Sequence, residues 1–164
     1  MIMTTLISLS LVLVSSVMIA RWVLILAGML KGPVLATYEL YGSESPFFFP
    51  LPYMLIWLGT LILGGGWLVR GPFSDIDFPA EVLGGLFLFV GAMLHMYRDP
   101  IAHYLRRATP LPRWANHLVM QTTRVERRRI AFMWLRLPLR TRLLYNYNTA
   151  AFFKWTELVI LATV

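Results

Sequence analysis

The sequence predicts an all-α integral membrane protein in which three transmembrane helices precede an amphipathic, basic, helical cytoplasmic tail. Three observations carry that expectation. Of 164 residues, 58% are hydrophobic and 14% charged, far from the balance of a soluble domain. The apolar residues lie in long blocks rather than at a helix or strand period, which separates a membrane chain from a large soluble core. The charges are segregated, with three basic and five acidic side chains in residues 1–97 but twelve basic and three acidic in residues 98–164. The chain therefore divides into a membrane region, 1–97, and a basic cytoplasmic or interfacial tail, 98–164. Cysteine is absent, which excludes disulfides, thiolate metal sites and cysteine nucleophiles.

The first span covers about residues 2–30. Met1 to Ala20 carries no charge, Arg21 and Trp22 interrupt, and the apolar run resumes from Val23 until Lys31-Gly32-Pro33 stops it. At 1.5 Å per residue such a helix reaches ~43 Å, more than the ~30 Å hydrocarbon core, so it tilts or projects with Arg21 snorkelling to an interface. It lacks a basic n-region and an A-x-A-like cleavage site, so it reads as a retained helix rather than a signal peptide. Residues 51–69 form the second span, between Pro50 and Arg70-Gly71-Pro72. Residues 80–97 form the third, opened by Pro79 and Glu81 and closed by Tyr97-Arg98-Asp99-Pro100. Arg98, Arg106, Arg107 and Arg113 follow the third span closely. The positive-inside rule then places that end in the cytoplasm and the amino terminus outside, as in a bacterial inner or energy-transducing membrane.

In the tail, Asp99-Pro100 starts a short juxtamembrane helix that Thr109-Pro110-Leu111-Pro112 breaks. A second helix is expected from about Arg113 to Leu137. Trp114, Leu118, Val125, Ile130, Met133, Trp134 and Leu137 approximate its apolar stripe, and Arg124, Arg127, Arg128, Arg129 and Arg136 its basic surface. Such a helix lies on an anionic leaflet, where each basic residue contributes on the order of 1 kcal/mol, or pairs with a partner. Arg106, Arg107, Arg113, Arg124, Arg127, Arg128, Arg129 and Trp134 are the expected lipid or partner contacts. Residues 148–164 are apolar apart from Lys154 and Glu157 and require a covering neighbour.

For chemistry, His95 is the one histidine inside a span, and Gly91 lies one helical turn earlier on the same face. Neutral imidazole ligates haem iron or chlorophyll magnesium, and a glycine four residues back leaves room for a flat macrocycle. Over these five residues the small-x-x-x-His turn resembles the ligand turn of light-harvesting polypeptides, which implies His95 and Gly91 as cofactor-binding residues. The alternative is that His95 hydrogen-bonds a neighbouring helix or the headgroups. His103 and His117 lack acidic companions at metal-ligand spacing, and Asp75 and Asp77 suit capping better than calcium. No metal site is expected. The hydrolase, metalloprotease and phosphate-loop motifs are missing, so catalysis is not expected. Without intramembrane acids or an inverted repeat, neither is transport.

The spans do offer packing surfaces. Ser16 with Ala20 and Thr60 with Gly64 are small-x-x-x-small pairs, and Gly65, Gly84 and Gly85 add positions where another helix can approach closely. The expected protein is a noncatalytic accessory or scaffold subunit of a larger membrane complex. It packs on other integral membrane subunits and anchors a basic arm on anionic lipid. The first alternative is a haem- or (bacterio)chlorophyll-binding subunit of an electron- or energy-transfer complex. The second is a nucleic-acid or secretion adaptor working through Arg124 to Arg129, with nucleic acid disfavoured because no recognition motif accompanies the arginines.

Overall fold

The structure is a computed structural model that describes residues 2–41, 50–70, 79–97, 100–101, 104–105 and 112–162. Among the described residues all regular structure is helical: α1 (Ile2–Leu26), α2 (Gly32–Tyr41), α3 (Pro50–Arg70), α4 (Ala80–Met96), α5 (Arg113–Gln121), α6 (Arg124–Arg136), α7 (Leu139–Tyr147) and α8 (Thr149–Leu161). The chain forms two compact units. The first comprises Met1–Val23 and Phe49–Thr109, and the second Leu24–Phe48 and Pro110–Val164. The segment following the first apolar helix thus folds with the carboxyl-terminal helices.

Among the described residues two helices are long and apolar enough to cross a membrane: Met3–Leu26, with mean hydropathy 2.3, and Pro50–Val69, with 1.5. The third apolar helix, Ala80–Met96, has 17 residues and a length of ~25 Å, shorter than a ~30 Å hydrocarbon core.

The first apolar helix does not continue to residue 30. It stops at Leu26 because Gly28 adopts φ +76°, a left-handed conformation that glycine takes without steric cost. The Gly28 N–H donates to Ile25 O at 3.0 Å and the Met29 N–H to Leu24 O at 2.9 Å, the paired bonds of a Schellman cap. Pro33 then enters the first turn of α2, where a missing N–H costs nothing. The expected 113–137 helix is likewise two helices. Thr123 accepts from the Glu126 N–H at 3.3 Å while Glu126 Oε2 accepts from the Thr123 N–H at 2.6 Å, a capping box that starts α6 afresh. Leu137 and Pro138 end α6, and Asn148 caps α8 by accepting from the Ala151 N–H at 3.0 Å.

In the first unit α3 and α4 pack antiparallel along a seam of small residues. A Cβ placed on Gly66 would collide with Ala80 Cβ, one on Gly59 would lie 2.7 Å from Gly84 O, and one on Gly91 2.9 Å from Pro52 O. The contacts recur at seven-residue intervals along α3, at 52, 59 and 66, so the seam keeps facing its partner as the helices cross. α1 joins through Gly64, which sits against Leu11, Val12 and the Ser8 carbonyl.

The second unit has a different interior. α2 packs on α6, and α8 on both α6 and α7. Leu35, Leu118, Ile130, Trp134 and Phe152 are fully or almost fully buried. Trp134 meets Phe152 edge-on, with centroids 5.8 Å apart, and Trp155 at 5.9 Å, geometries that aromatic quadrupoles favour.

Candidate functional site

The two units bury opposite kinds of side chain. Among the described residues of the first, the buried positions are Ser8, Ser15, Pro50, Pro52, Gly59, Gly64, Gly66, Ala80, Gly84, Gly91 and Leu105, so Leu105 is the one large aliphatic side chain fully buried among them. Many of the unit's large apolar residues are exposed, including Leu6, Leu13 and Val17 on α1 and Val82, Leu86 and Phe89 on α4, while others, such as Leu11, Val12, Leu63 and Leu88, are half-buried against the small residues of a neighbouring helix. The inward hydroxyls bond within their own helix, Ser8 to Thr4 O at 2.9 Å and Ser15 to Leu11 O. This satisfies them without a partner chain.

The small residues divide by use. Gly64 and Gly84 are consumed by contacts inside the unit, and half-buried Thr60 donates to Ile56 O at 2.9 Å. Ser16 and Ala20 are exposed, and a Cβ on Gly65 or Gly85 would meet nothing within 4 Å. The sequence marks Gly66, within Gly64-Gly65-Gly66, as a close-approach position but not Gly59, whose spacing of seven from Gly66 is the available signal.

His95 packs edge-on against Tyr53 with centroids 5.1 Å apart, and Tyr53 stacks on Trp22 at 5.6 Å. The face of Gly91 that a macrocycle would use is occupied by α3: a Cβ there would lie 2.8 Å from Ile56 Cγ1. Among the described residues no three His, Cys, Asp or Glu side chains converge on a point. His117 packs on Phe153 at 4.6 Å. His103, Asp75, Asp77, Arg106 and Arg107 lie outside the described residues.

In the second unit the basic residues take two roles. Arg113, Arg124, Arg128, Arg129, Arg136 and Arg140 are exposed. Arg127 instead turns inward, donating from one guanidinium nitrogen to Val119 O at 3.1 Å and to Thr122 O, so it covers the carbonyl end of α5. Arg142 does the same for α6, through Leu137 O at 2.8 Å and Leu135 O. Cationic donors are favoured there because the last carbonyls of a helix are unsatisfied and carry its negative dipole end. Trp134, placed by sequence on the contact surface, is 2% exposed and forms the aromatic core.

A third cation completes the pattern, one for which no local sequence signal exists. Lys31 is fully buried. Its Nζ donates to Asn146 O, near the end of α7, at 2.8 Å, while its backbone N–H donates to Asn146 Oδ1 at 3.0 Å. The ammonium lies 5.7 Å from the Trp114 ring centroid and 5.5 Å from that of Phe152, within cation–π range. Burial pushes its pKa down to about 8, since removing the ammonium from water disfavours the charged form.

Comparison with protein families, curated proteins and solved structures yields no match to this chain.

Proposed function

We propose that the protein is a noncatalytic, three-span accessory subunit of a membrane assembly. One observation carries the reading: among its described residues the first unit fully buries mainly serines, glycines, prolines and alanine and leaves many of its large apolar side chains exposed. In water that arrangement exposes the surface that folding normally removes. In lipid it is the favoured one, because helices there associate through small residues that let backbones approach, while leucine and valine meet acyl chains at no cost. α4, shorter than the other two, is matched to a bilayer by local thinning and by its close packing on α3.

The outward small residues Ser16, Ala20, Gly65 and Gly85 form the surface for partner helices, and the exposed arginines of α5, α6 and α7 hold the carboxyl-terminal unit on the anionic cytoplasmic leaflet. The amino terminus lies outside. Single cysteines at Ser74 and Thr122 are then labelled from opposite sides, and same-side labelling overturns the topology. The subunit role is tested by tagging the chain in its native membrane, extracting with mild detergent and quantifying co-purifying chains. Membrane subunits are expected at fixed stoichiometry and are released by the double variant Ser16→Leu, Ala20→Leu. Recovery of the chain alone as a monomer would overturn the proposal.

A further inference from the structure

Between α6 and α8 runs an open groove of about 440 Å³ that the helix packing leaves unfilled. Phe132 and Met133 form one wall, Trp155, Leu158 and Val159 the other, and Arg129 is the one charged residue in the lining. Phe132, Met133 and Leu158 are 44%, 43% and 65% exposed, so the wall is apolar surface left open among the described residues. The Arg136 guanidinium stacks on Phe132, 4.1 Å from the ring centroid. Arg129, Phe132, Met133 and Arg136 fall on one stripe of α6, so a cation flanks the apolar wall at each end.

We propose that this groove binds one acyl chain of an anionic phospholipid, whose headgroup is held by Arg129 and Arg136. The inference rests on the membrane reading above and adds a specific site to it. Charge chooses the headgroup. The exposed side chains of α6 include four arginines, Arg124, Arg128, Arg129 and Arg136, while its one acid, Glu126, is engaged in the Thr123 cap. On α8, Lys154 and Glu157 offset each other.

The apolar lining chooses the chain. An extended peptide would bring N–H and C=O groups that need partners, and burying them unpaired is costly. A partner helix presents side chains over several turns, more than a groove this short receives. An acyl chain brings no polar group, and the volume lies within the range of small-ligand sites.

The test uses the full chain in nanodiscs containing phosphatidylglycerol or phosphatidylcholine with a diazirine on one acyl chain, with crosslinks mapped by mass spectrometry. Labelling at Phe132, Met133 and Leu158 is expected to favour the anionic lipid. Arg129→Glu should reduce it about five-fold or more, the size of one basic contact at a charged leaflet. Leu158→Trp, which fills the groove at an exposed position, should abolish it, whereas Leu139→Trp, at an exposed position of α7 outside the groove, should leave it unchanged. Equal labelling by the two lipids, or labelling indifferent to Leu158→Trp, overturns the proposal. Labelling of α1 separates the two levels: if α1 is labelled by both lipids and the groove by neither, the groove assignment fails and the membrane reading stands. If α1 is not labelled either, both fail.

Discussion

Gly59 and Gly84 face each other reciprocally across α3 and α4: a Cβ on Gly59 would lie 2.7 Å from the Gly84 carbonyl oxygen, and one on Gly84 2.9 Å from that of Gly59. Neither position admits a side chain without moving a backbone. Gly85, one residue on, faces open space.

That contrast makes a paired prediction. Gly59→Ala should destabilise the α3–α4 hairpin by about 1–3 kcal/mol, the usual cost of overpacking. Gly85→Ala should be neutral or stabilising by up to ~1 kcal/mol, since it removes only the conformational entropy of a helical glycine. Reversible unfolding in mixed micelles measures both. Equal effects would mean that the helices do not cross where Gly59 meets Gly84.

The Lys31 amine gives stability a specific pH dependence. Its folded pKa of about 8 lies below the ordinary 10.5, so between these values the unfolded chain binds more protons than the folded one, and stability rises with pH. Below pH 8 both states carry the charge and the burial penalty is present in full. Stability should therefore increase from pH 8 to 10.5 in the wild type relative to Lys31→Met. A parallel pair of curves would show that the amine is solvated.

Amine chemistry tests the same burial independently. With Lys31 and Lys154 the only lysines, reductive methylation of the folded protein should modify exposed Lys154 and spare Lys31, and denaturation should release the second site. Asn146→Ala removes the acceptor of the Lys31 N–H and should cost on the order of 1–3 kcal/mol, because a buried donor is left unmatched.

Thr123→Ala should cost about 1 kcal/mol through loss of the α6 cap. The Glu126 carboxyl is held below its ordinary range first by the Thr123 N–H and then by the Thr123 hydroxyl. Its contribution is present above pH 4.5 and is lost as pH falls through the lowered folded value. In Thr123→Ala the acid-side difference from wild type should shrink, which carboxyl titration by NMR reads directly.

His95→Phe should preserve the contact with Tyr53 and leave the visible absorption of the mildly solubilised native assembly unchanged. Loss of a band at matched recovery of every subunit would instead make His95 an axial ligand.

The apolar helices were legible because a block of twenty uncharged residues has few ways to be buried. Their ends were less so. Gly28 sits inside the apolar run, and its role as a stop depends on its backbone angle. The break at Thr123 had a local signal, the T-x-x-E spacing to Glu126, but an arginine-rich surface pattern runs through it and masks the restart. Which glycines face a neighbour depends on the register of α3 against α4, which composition does not encode. Arg127 and Arg128 are adjacent in sequence, yet one is buried and the other exposed; helix phase, rather than residue type, decides. Lys31 depends on Asn146, and no window of local sequence contains both.

The Lys31–Asn146 contact also orders events during synthesis. The two residues are 115 positions apart, so at ~5–20 residues per second the ribosome takes about 6–23 s to supply the acceptor after the donor. Within that interval α2 is finished early and α6, the helix it packs on, only near the close. The hairpin of α3 and α4 is translated entirely within it and forms from local contacts alone. A nascent chain stalled before α7 therefore has its hairpin and lacks its aromatic core, leaving the Lys31 amine open to water and to any factor that attends the chain until its last helices emerge.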